Sequence, residues 1–319
     1  MKAIQIRRFG GPDVLELVDV PVPVPGPEEV LIEVAAAGVN FAETLMRENR
    51  YVASYDLPAI PGSEVAGTIA AVGPEVPNLE VGMRAGAILA AAKRLTGGYA
   101  QFVVAPAAVT VPLPDALGFE QAAGLLVQGL TALHLTREAD PGGESVLVTA
   151  GGGGVASLLI QLAKRSAARE IVAATSSVAK GEHALLMGAD RAVRYDELEG
   201  LAPSLVYDSV GGEVLASCLE RLAFKGTLVL YGALNLRDFA FGTDDLRRLM
   251  FSNQTLRGFT FGALLEAPSL RRDLELLFTL TADGELRVPI GGLFALEDAA
   301  DAHRQLQDRA SVGKLVLRC

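Results

Sequence analysis

The stretch ESVLVTAGGGGVASLLIQLAK, residues 144–164, decides the fold of this chain. Its β-branched run at 146–149 is typical of a buried strand, and apolar residues at helical spacing follow the four glycines. From Gly151 the turn reads G-x-G-x-x-A, a dinucleotide-binding fingerprint in which Ala156 takes the third small position.

This turn has a physical reason to be rich in glycine. A tight bend, a backbone that approaches a pyrophosphate and a helix N-terminus that receives its charge all require residues with little or no side chain. The alternative is a glycine-rich turn without a ligand, but the strand before it and the helix after it favour a dinucleotide. We predict that four residues of the turn bind it: Gly151, Gly153, Gly154 and Val155.

The sequence pattern differs on the two sides of this stretch. Residues 1–121 contain short strand-like runs separated by Gly/Pro turns and by the proline-dense connector PVPVPGPEE at 21–29. That pattern predicts a compact, mostly antiparallel, barrel-like unit. Beyond it strand-like and helix-like segments alternate, which predicts a parallel, doubly wound sheet.

The C-terminal part is expected to return to the first unit. Residues 294–309 have the spacing of an amphipathic helix after a break at Gly291 and Gly292, and 314–319 read as a closing strand. The predicted α/β protein has two domains, a β-rich domain of residues 1–121 and 258–319 and a dinucleotide-binding Rossmann domain of residues 122–257.

Composition limits the class of function. The 319 residues carry a net charge of −10 at pH 7 without a run of basic residues, so no nucleic-acid partner is expected. The apolar stretches are far shorter than the ~20 residues that span a bilayer, and the N-terminus alternates like a strand, so we expect a cytoplasmic protein with no membrane partner. The distant Cys218 and Cys319 exclude a disulfide framework and a cysteine-rich zinc site.

The end of the second strand of the nucleotide domain indicates which dinucleotide binds. An acidic residue there would accept the ribose hydroxyls of NAD, but IVAATSSVAK, residues 171–180, contains no Asp or Glu. Ser176, Ser177 and Lys180 are instead hydrogen-bond donors that suit a 2′-phosphate. A helix N-cap followed by an exposed lysine is the alternative, and we favour NADP(H).

The sequence lacks the motifs of metal sites and of catalytic nucleophiles, which limits the reactions that the protein could catalyse. His134, His183 and His303 are isolated from one another, and no HxxxH or CxxC pattern occurs, so no metal site is expected. No G-x-S-x-G turn presents a nucleophile. Hydride transfer remains, in which the cofactor reacts and the protein positions it.

Several motifs together resemble one family over essentially the whole chain. They are AAAGVNFAETLMRENRY at 35–51, PGSEVAGTIAAVG at 61–73, FEQAAGLLVQGLTA at 119–132, VYDSVGG at 206–212 and GKLVL at 313–317. In this order they resemble the medium-chain dehydrogenase/reductase superfamily, in its zinc-free, zeta-crystallin-like quinone oxidoreductase branch. The resemblance implies a GroES-like β-barrel domain joined to a Rossmann domain.

The resemblance also implies a metal-free reaction site. Asn40 stands where zinc-dependent members have a cysteine ligand, and Ser63 stands where they have a histidine. It places Asn40 at the nicotinamide end of the cleft, where its amide can hydrogen-bond cofactor or substrate, although a turn residue is the alternative. Tyr51 would line the substrate cleft and orient a carbonyl or donate a proton, or simply pack. Glu43 departs from the branch's usual aspartate.

Further cofactor contacts follow from the resemblance alone. Lys180 and Tyr195 match positions around the adenosine 2′-phosphate, and Gln128 and Thr131 match contacts of the nicotinamide ribose or carboxamide. The remaining residues are expected to flank the nicotinamide: Ser209, Tyr231, Gly232 and Ala233.

Three functions stay open at this point. The first is an NADPH-dependent quinone reductase, and the second is an enoyl or 2-alkenal reductase, in which a proton must also reach carbon. The third is an NADPH-binding structural or regulatory protein with little catalysis. Relatives commonly form homodimers through edge strands of the nucleotide sheet, for which residues 227–231 or 256–261 are candidates.

Overall fold

A computed structural model describes residues 1–92, 97–232, 240–265 and 269–319. The chain divides into two compact units, Met1–Leu130 with Gly262–Cys319, and Thr131–Phe261. The domain boundaries expected from the sequence, after residues 121 and 257, stay predictions.

The two units differ in how strands and helices follow one another along the chain. In chain order the strands are β1 Lys2–Gln5, β2 Glu16–Asp19, β3 Glu29–Val39, β4 Glu64–Val72, β5 Arg84–Ile88, β6 Phe102–Pro106, β7 Thr110–Pro112, β8 Ser145–Val148, β9 Glu170–Thr175, β10 Arg191–Arg194, β11 Leu205–Asp208, β12 Thr227–Leu230, β13 Thr255–Gly258, β14 Ile290–Ala295 and β15 Lys314–Arg318. The helices are α1 Phe41–Arg47, α2 Phe119–Glu138, α3 Gly154–Arg165, α4 Val178–Leu186, α5 Gly212–Arg221, α6 Thr243–Phe251, α7 Leu270–Ala282 and α8 Ala299–Gln307.

The first unit is built on a mixed sheet whose described strands lie in the order β14-β15-β3-β4-β5-β7. The long strand β3 pairs antiparallel with β15, β4 and β6, and therefore lies at the centre of the sheet. Its apolar residues Val30, Ile32 and Val34 enter the core of the unit together with residues of α8 such as Ala299 and Ala302. This core supports α1 and the start of β4, where the candidate site lies.

The second unit contains a parallel sheet in the order β10-β9-β8-β11-β12-β13. Counted within the unit this is 3-2-1-4-5-6, the order of a dinucleotide-binding Rossmann sheet. The two central strands, β8 and β11, are almost wholly buried because helices cover both faces of such a sheet. The predicted doubly wound α/β architecture is confirmed.

Two expectations about individual segments are wrong. Residues 294–309 are not one helix, because Phe294 and Ala295 end β14 and helix α8 begins only at Ala299. Gly291 lies inside β14, where an added Cβ would collide with the carbonyl oxygen of Val312. The glycine therefore permits close strand pairing, with a register shift beside it, and does not break the chain pattern.

A third correction concerns the edge of the nucleotide sheet. Residues 227–231 are not at the edge, because β12 pairs with β11 on one side and β13 on the other. Strand β13 is the outer strand at this end of the described sheet, and all four of its residues are exposed.

Candidate active site and cofactor loop

The glycine-rich turn between β8 and α3 is closed by its own backbone. The Gly151 amide donates to the Ala174 carbonyl at 3.0 Å, and the Gly153 amide donates to the Ala150 carbonyl at 2.8 Å. Helix α3 begins at Gly154, and its N-cap, Gly153, offers no side chain to cap the first amides. A helix N-terminus of this kind is suited to a pyrophosphate.

The side chains predicted to hold a 2′-phosphate lie together beside this turn. Lys180 Nζ donates to Ser176 Oγ at 3.3 Å, and the Lys180 amide donates to Ser177 Oγ at 3.4 Å, so Ser177 caps helix α4. The stem of Lys180 crosses Gly152, since a Cβ added there would lie 2.7 Å from Lys180 Cγ. Tyr195 lies nearby, because its hydroxyl accepts the Ala150 amide at 3.2 Å.

These contacts fit the phosphate groups of NADPH. Gly152 leaves room for the lysine stem over the turn, and β9 is followed by Ser176 and not by a carboxylate. Val155 follows Gly154 in the first turn of α3, so all four predicted turn residues lie at this helix N-terminus. Their contact with a cofactor stays a prediction.

The end of β11 is organised by the buried Asp208. Its carboxylate accepts the Thr149 hydroxyl at 2.6 Å and the Val210 and Gly211 amides at 3.2 and 2.9 Å. Burial raises the pKa of Asp208, and these donors oppose that rise. The next residue, Ser209, is fixed through its amide, which donates to Thr149 Oγ1 at 3.1 Å.

The residues predicted to flank the nicotinamide lie at the ends of neighbouring strands. The Tyr231 amide donates to the Asp208 carbonyl at 2.8 Å, and burial raises the pKa of its phenol, which hydrogen-bonds Ser209. A Cβ on Gly232 would lie within 2.6 Å of Ser209, so the two segments touch. The prediction for Ala233 falls outside the described residues.

The two predicted contacts on α2 differ in their surroundings. Gln128 is half-buried, and its Oε1 is enclosed without a hydrogen-bond partner among the described residues. Such an orphaned acceptor is suited to an amide or hydroxyl donor of a ligand. Thr131 is buried. Both stay predictions.

Asn40 lies in a buried polar cluster of the first unit, just before helix α1. Its Nδ2 donates to Glu64 Oε1 at 2.7 Å and to Ser63 Oγ at 3.3 Å. Its Oδ1 accepts Lys314 Nζ at 2.7 Å. Lys314 also reaches Glu64 Oε1 at 2.6 Å, and the Val127 amide satisfies the second oxygen of Glu64 at 2.7 Å.

Glu43 is the centre of the same cluster. One carboxyl oxygen, Oε1, accepts the amide and the hydroxyl of Ser63 at 2.9 and 2.7 Å. The other, Oε2, accepts the Asn40 amide at 2.9 Å and the Tyr99 hydroxyl at 2.7 Å. Burial raises the pKa of Glu43, although these donors act in the opposite direction.

His303 continues the cluster towards α8 in a defined tautomer. Its Nδ1 lies 2.9 Å from Arg47 Nη1, and because a guanidinium only donates, Nδ1 must accept. The ring proton is therefore on Nε2, which donates to the Tyr99 hydroxyl at 3.0 Å and leaves that hydroxyl to donate to Glu43. Burial beside Arg47 lowers the pKa of His303 to about 3, so the ring is neutral.

The second predicted catalytic residue, Tyr51, lies apart from these contacts. It is 39% exposed on the loop after α1, and no hydrogen bond of its hydroxyl is found among the described residues. Its role as a proton donor stays a prediction, as does the role of Asn40.

Sequence reasoning missed most of the buried cluster. The Asn40–Glu43 pair had a local signal, since N-x-x-E is the spacing of a helix capping box. The others had none, because Tyr99 and His303 are 204 positions apart and Glu64 and Lys314 are 250 apart. The sequence separates His303 from other histidines, but in the structure its ring contacts Arg47 and Tyr99.

A metal site is not evident in this arrangement. Within residues 1–92, 97–232, 240–265 and 269–319, no group of three or more His, Cys, Asp or Glu side chains could hold an ion. In the same residues no helix combines the length and apolar character needed to cross a membrane.

The comparisons with known proteins agree with both halves of the fold. A family described as "Alcohol dehydrogenase GroES-like domain" matches residues 26–115, and one described as "Zinc-binding dehydrogenase" matches residues 187–317. The first unit is accordingly GroES-like.

Individual relatives match the whole chain. It is 34% identical over 331 residues to the quinone oxidoreductase of Pseudomonas aeruginosa, covering 99% of each chain. Its fold is similar to that of Escherichia coli quinone oxidoreductase complexed with NADPH, with a TM-score of 0.90, 27% identity and full coverage of both chains. A mycobacterial protein complexed with NADPH has a TM-score of 0.89 and 34% identity, again with full coverage of both chains.

Proposed function

Because this chain belongs to the quinone oxidoreductase branch of the medium-chain dehydrogenase/reductase superfamily, we propose that it is an NADPH-dependent reductase that transfers hydride to a quinone. The observation that carries the choice of cofactor is the contact of Lys180 with Ser176 beside the glycine turn, where an NAD-binding protein has a carboxylate. The choice of quinone rests on the relatives.

Each part of the cofactor has candidate partners in the second unit. The turn at Gly151, Gly153 and Gly154 would hold the pyrophosphate, and Lys180 with Ser176 would hold the 2′-phosphate. When bound, NADPH supplies the hydride. The protein's own contribution is to orient the nicotinamide ring. We assign Ser209 and Tyr231 to that task because hydrogen bonds to Thr149 and to Asp208 fix their amides.

We also propose that the reaction needs no zinc. Asn40 and Ser63 replace two metal ligands, and the ammonium group of Lys314 lies 2.7 Å from Asn40 Oδ1. A divalent cation at Asn40 would meet this buried positive charge at short range, which is unfavourable in a medium of low dielectric constant. Elemental analysis of the purified protein and activity in the presence of a strong chelator test this point.

The assay of function is NADPH oxidation with benzoquinone, naphthoquinone and phenanthrenequinone, followed at the nicotinamide absorbance. We expect turnover with at least one of them and slower turnover with NADH. An enone panel is assayed beside it, since the alternative reductase activity shares the hydride step. Tight NADPH binding without turnover of any acceptor would contradict the proposal and favour a regulatory protein.

The remaining parts of the proposal concern assembly and location. We propose a homodimer that forms through β13, because this outer strand exposes all four residues. We propose a cytoplasmic location, with which the free thiols Cys218 and Cys319 are compatible.

A further inference from the structure

We propose that Ser63, and not Asn40, contacts the substrate oxygen, and that Glu43 supplies the proton that Ser63 passes to it. This inference rests on the proposed reductase function and assigns the proton step that accompanies hydride transfer. It follows from the direction of each hydrogen bond in the buried cluster.

The amide of Asn40 has no donor left for a substrate. A side-chain amide has two N–H groups, and Asn40 uses them on Glu64 and Ser63. The amide cannot be turned around, because Lys314 only donates and therefore requires the carbonyl oxygen of Asn40. Asn40 is thus a positioning residue, which fixes Ser63 from one side.

Ser63 is the polar group of this cluster that solvent reaches. It is half-buried, whereas Asn40 is 8% exposed, Glu43 1% and Tyr99 not at all. Its backbone amide and its hydroxyl both contact Glu43 Oε1, so the hydroxyl cannot swing away from the carboxyl group without losing that bond. The preceding Gly62 has a φ of +98°, and a Cβ there would lie 2.6 Å from the Tyr99 ring. Glycine is therefore needed at this position for the backbone to pass the ring and reach Ser63.

The surroundings of Glu43 stabilise its carboxylate after the proton has left. With Ser63 donating to it, the carboxylate accepts four hydrogen bonds, two on each oxygen. Before the transfer, the nearly complete burial of Glu43 favours the neutral acid and raises its pKa, although its hydrogen-bond donors and Lys314 act in the opposite direction. The protonated Oε1 then donates to Ser63 Oγ, and the serine hydrogen is free to point at a ligand.

The titratable groups that face Glu43 come from several elements. Tyr99 donates to it directly, and His303 on α8 holds Tyr99 in the donating orientation. Tyr55 on the loop after α1 and Lys314 on β15 interact with Glu43 through space, whereas Arg47 on α1 and Glu64 on β4 interact with Tyr99.

The proton transfer conserves atoms and charge. A quinone that has received hydride, which is two electrons and one hydrogen nucleus, carries a negative oxygen. A bond forms between that oxygen and the hydrogen of Ser63 as the Ser63 O–H bond breaks, and Ser63 Oγ takes the hydrogen of Glu43 Oε1. The products are the hydroquinone, oxidised cofactor and the Glu43 carboxylate. After the product leaves, a proton taken up from bulk solvent returns to Glu43 through Ser63, so the cycle consumes one proton from solution.

The test compares Ser63→Ala and Ser63→Thr, of which only the second keeps a hydroxyl, with Glu43→Gln. We expect kcat with the best quinone to fall about 10²-fold in S63A and E43Q, the lower end for general acid catalysis. S63T should retain much more activity than S63A. NADPH affinity, measured by fluorescence titration, should not change in any of them. The solvent deuterium isotope effect of the wild type should be lost in both impaired variants.

A readout independent of turnover is the infrared band of a protonated carboxylic acid. We expect one such band in the wild type near neutral pH that disappears in E43Q and persists in S63A. Full activity of S63A, or a wild type without a band that E43Q removes, would overturn the assignment. If the wild type oxidises no NADPH with any quinone, the reductase proposal fails, and the infrared result still decides whether Glu43 holds a proton.

Discussion

The ammonium nitrogen of Lys314 lies 2.6 Å from Glu64 Oε1, and both side chains are withdrawn from solvent. The pair joins β15 to β4 across the central strand β3. The remaining polar atoms around it are satisfied, since Asn40 accepts from Lys314 and the Val127 amide donates to Glu64. A buried ion pair with such partners is costly to break on one side only, because an uncompensated charge is left behind.

Replacing Lys314 with methionine should therefore destabilise the protein by about 3–5 kcal/mol, measured by urea unfolding. A second change, Glu64→Gln, made in the K314M background, should recover part of the loss because it removes the orphaned charge. The matched control is Arg304→Met, which breaks exposed ion pairs with Asp13 and Asp301 and should change stability little. Equal losses in K314M and R304M would contradict the argument.

Lys180 should decide the preference for NADPH. In Lys180→Ala the KM for NADPH should rise roughly tenfold, the effect of losing one charge-assisted hydrogen bond, whereas the KM for NADH should change little. The measurement with NADH is the control, because damage to the fold would raise the KM for both cofactors. An unchanged ratio of kcat/KM for the two cofactors would show that the 2′-phosphate is held elsewhere.

The free energy of unfolding should decrease as the pH falls below neutral, because His303 is held neutral in the folded state. Its pKa is lowered from 6.5 to about 3, so the folded state requires the neutral ring. The unfolded chain binds the proton more readily, and the contribution of His303, fully present above pH 6.5, is lost as the pH falls from 6.5 towards 3. The slope from this one group is at most about 1.4 kcal/mol per pH unit.

The His303→Gln variant isolates that contribution. The difference in unfolding free energy between wild type and H303Q should shrink steadily as urea titrations are moved from about pH 7 to pH 4. His183→Gln is the control, because the pKa of that histidine is also lowered by burial but the ring is only half-buried, so its difference should vary less with pH. A constant difference for H303Q would mean that the ring is not held neutral.

The second unit was the more predictable from sequence, for a physical reason. Its strands β8 and β9 are short, mostly apolar runs and helices follow them within a few residues, so the pattern from β8 through α3 to β9 is local. The residues predicted to hold the 2′-phosphate have a local signal for the same reason, since Ser176, Ser177 and Lys180 lie within about one turn of each other.

The first unit depends on contacts that no local pattern encodes. Gly291 and Gly292 read as a break, but they serve close pairing of β14 with β15, which cannot be inferred without the partner strand. In the same way Lys314 is a charged residue at the start of an apolar run, and only the tertiary fold brings it to Glu64. The resemblance placed Asn40 and Ser63, but not the residues that orient them.

Assembly through β13 predicts a dependence on the neighbouring helix α6. Helix α6 directly precedes β13 in the chain, and three of its apolar side chains are exposed: Leu246, Met250 and Phe251. Met250→Glu should convert the dimer to a monomer in sedimentation equilibrium at micromolar protein, because a desolvated carboxylate would face the partner. Leu186→Glu is the matched control, since Leu186 on α4 is also exposed and should leave the mass unchanged. A wild type that is already monomeric would refute the dimer.

The glycine turn allows a prediction about whether Gly152 acts through Lys180. In Gly152→Ala the new Cβ would lie 2.7 Å from Lys180 Cγ and 2.8 Å from Lys180 Cβ. Rotation of the lysine stem can relieve the contact with Cγ but not the one with Cβ, so the start of α4 must shift as well, and the free energy of unfolding should fall by about 1–3 kcal/mol. The displaced ammonium group should no longer reach the site beside Ser176, and NADPH affinity should fall about as much as in K180A.

The double variant G152A/K180A should bind NADPH no more weakly than K180A, because both changes act through the same lysine. Gly11→Ala, where a Cβ meets no atom within 4 Å, controls for loss of glycine as such. Additive losses in the double variant would place the effect of Gly152 on the pyrophosphate and not on Lys180.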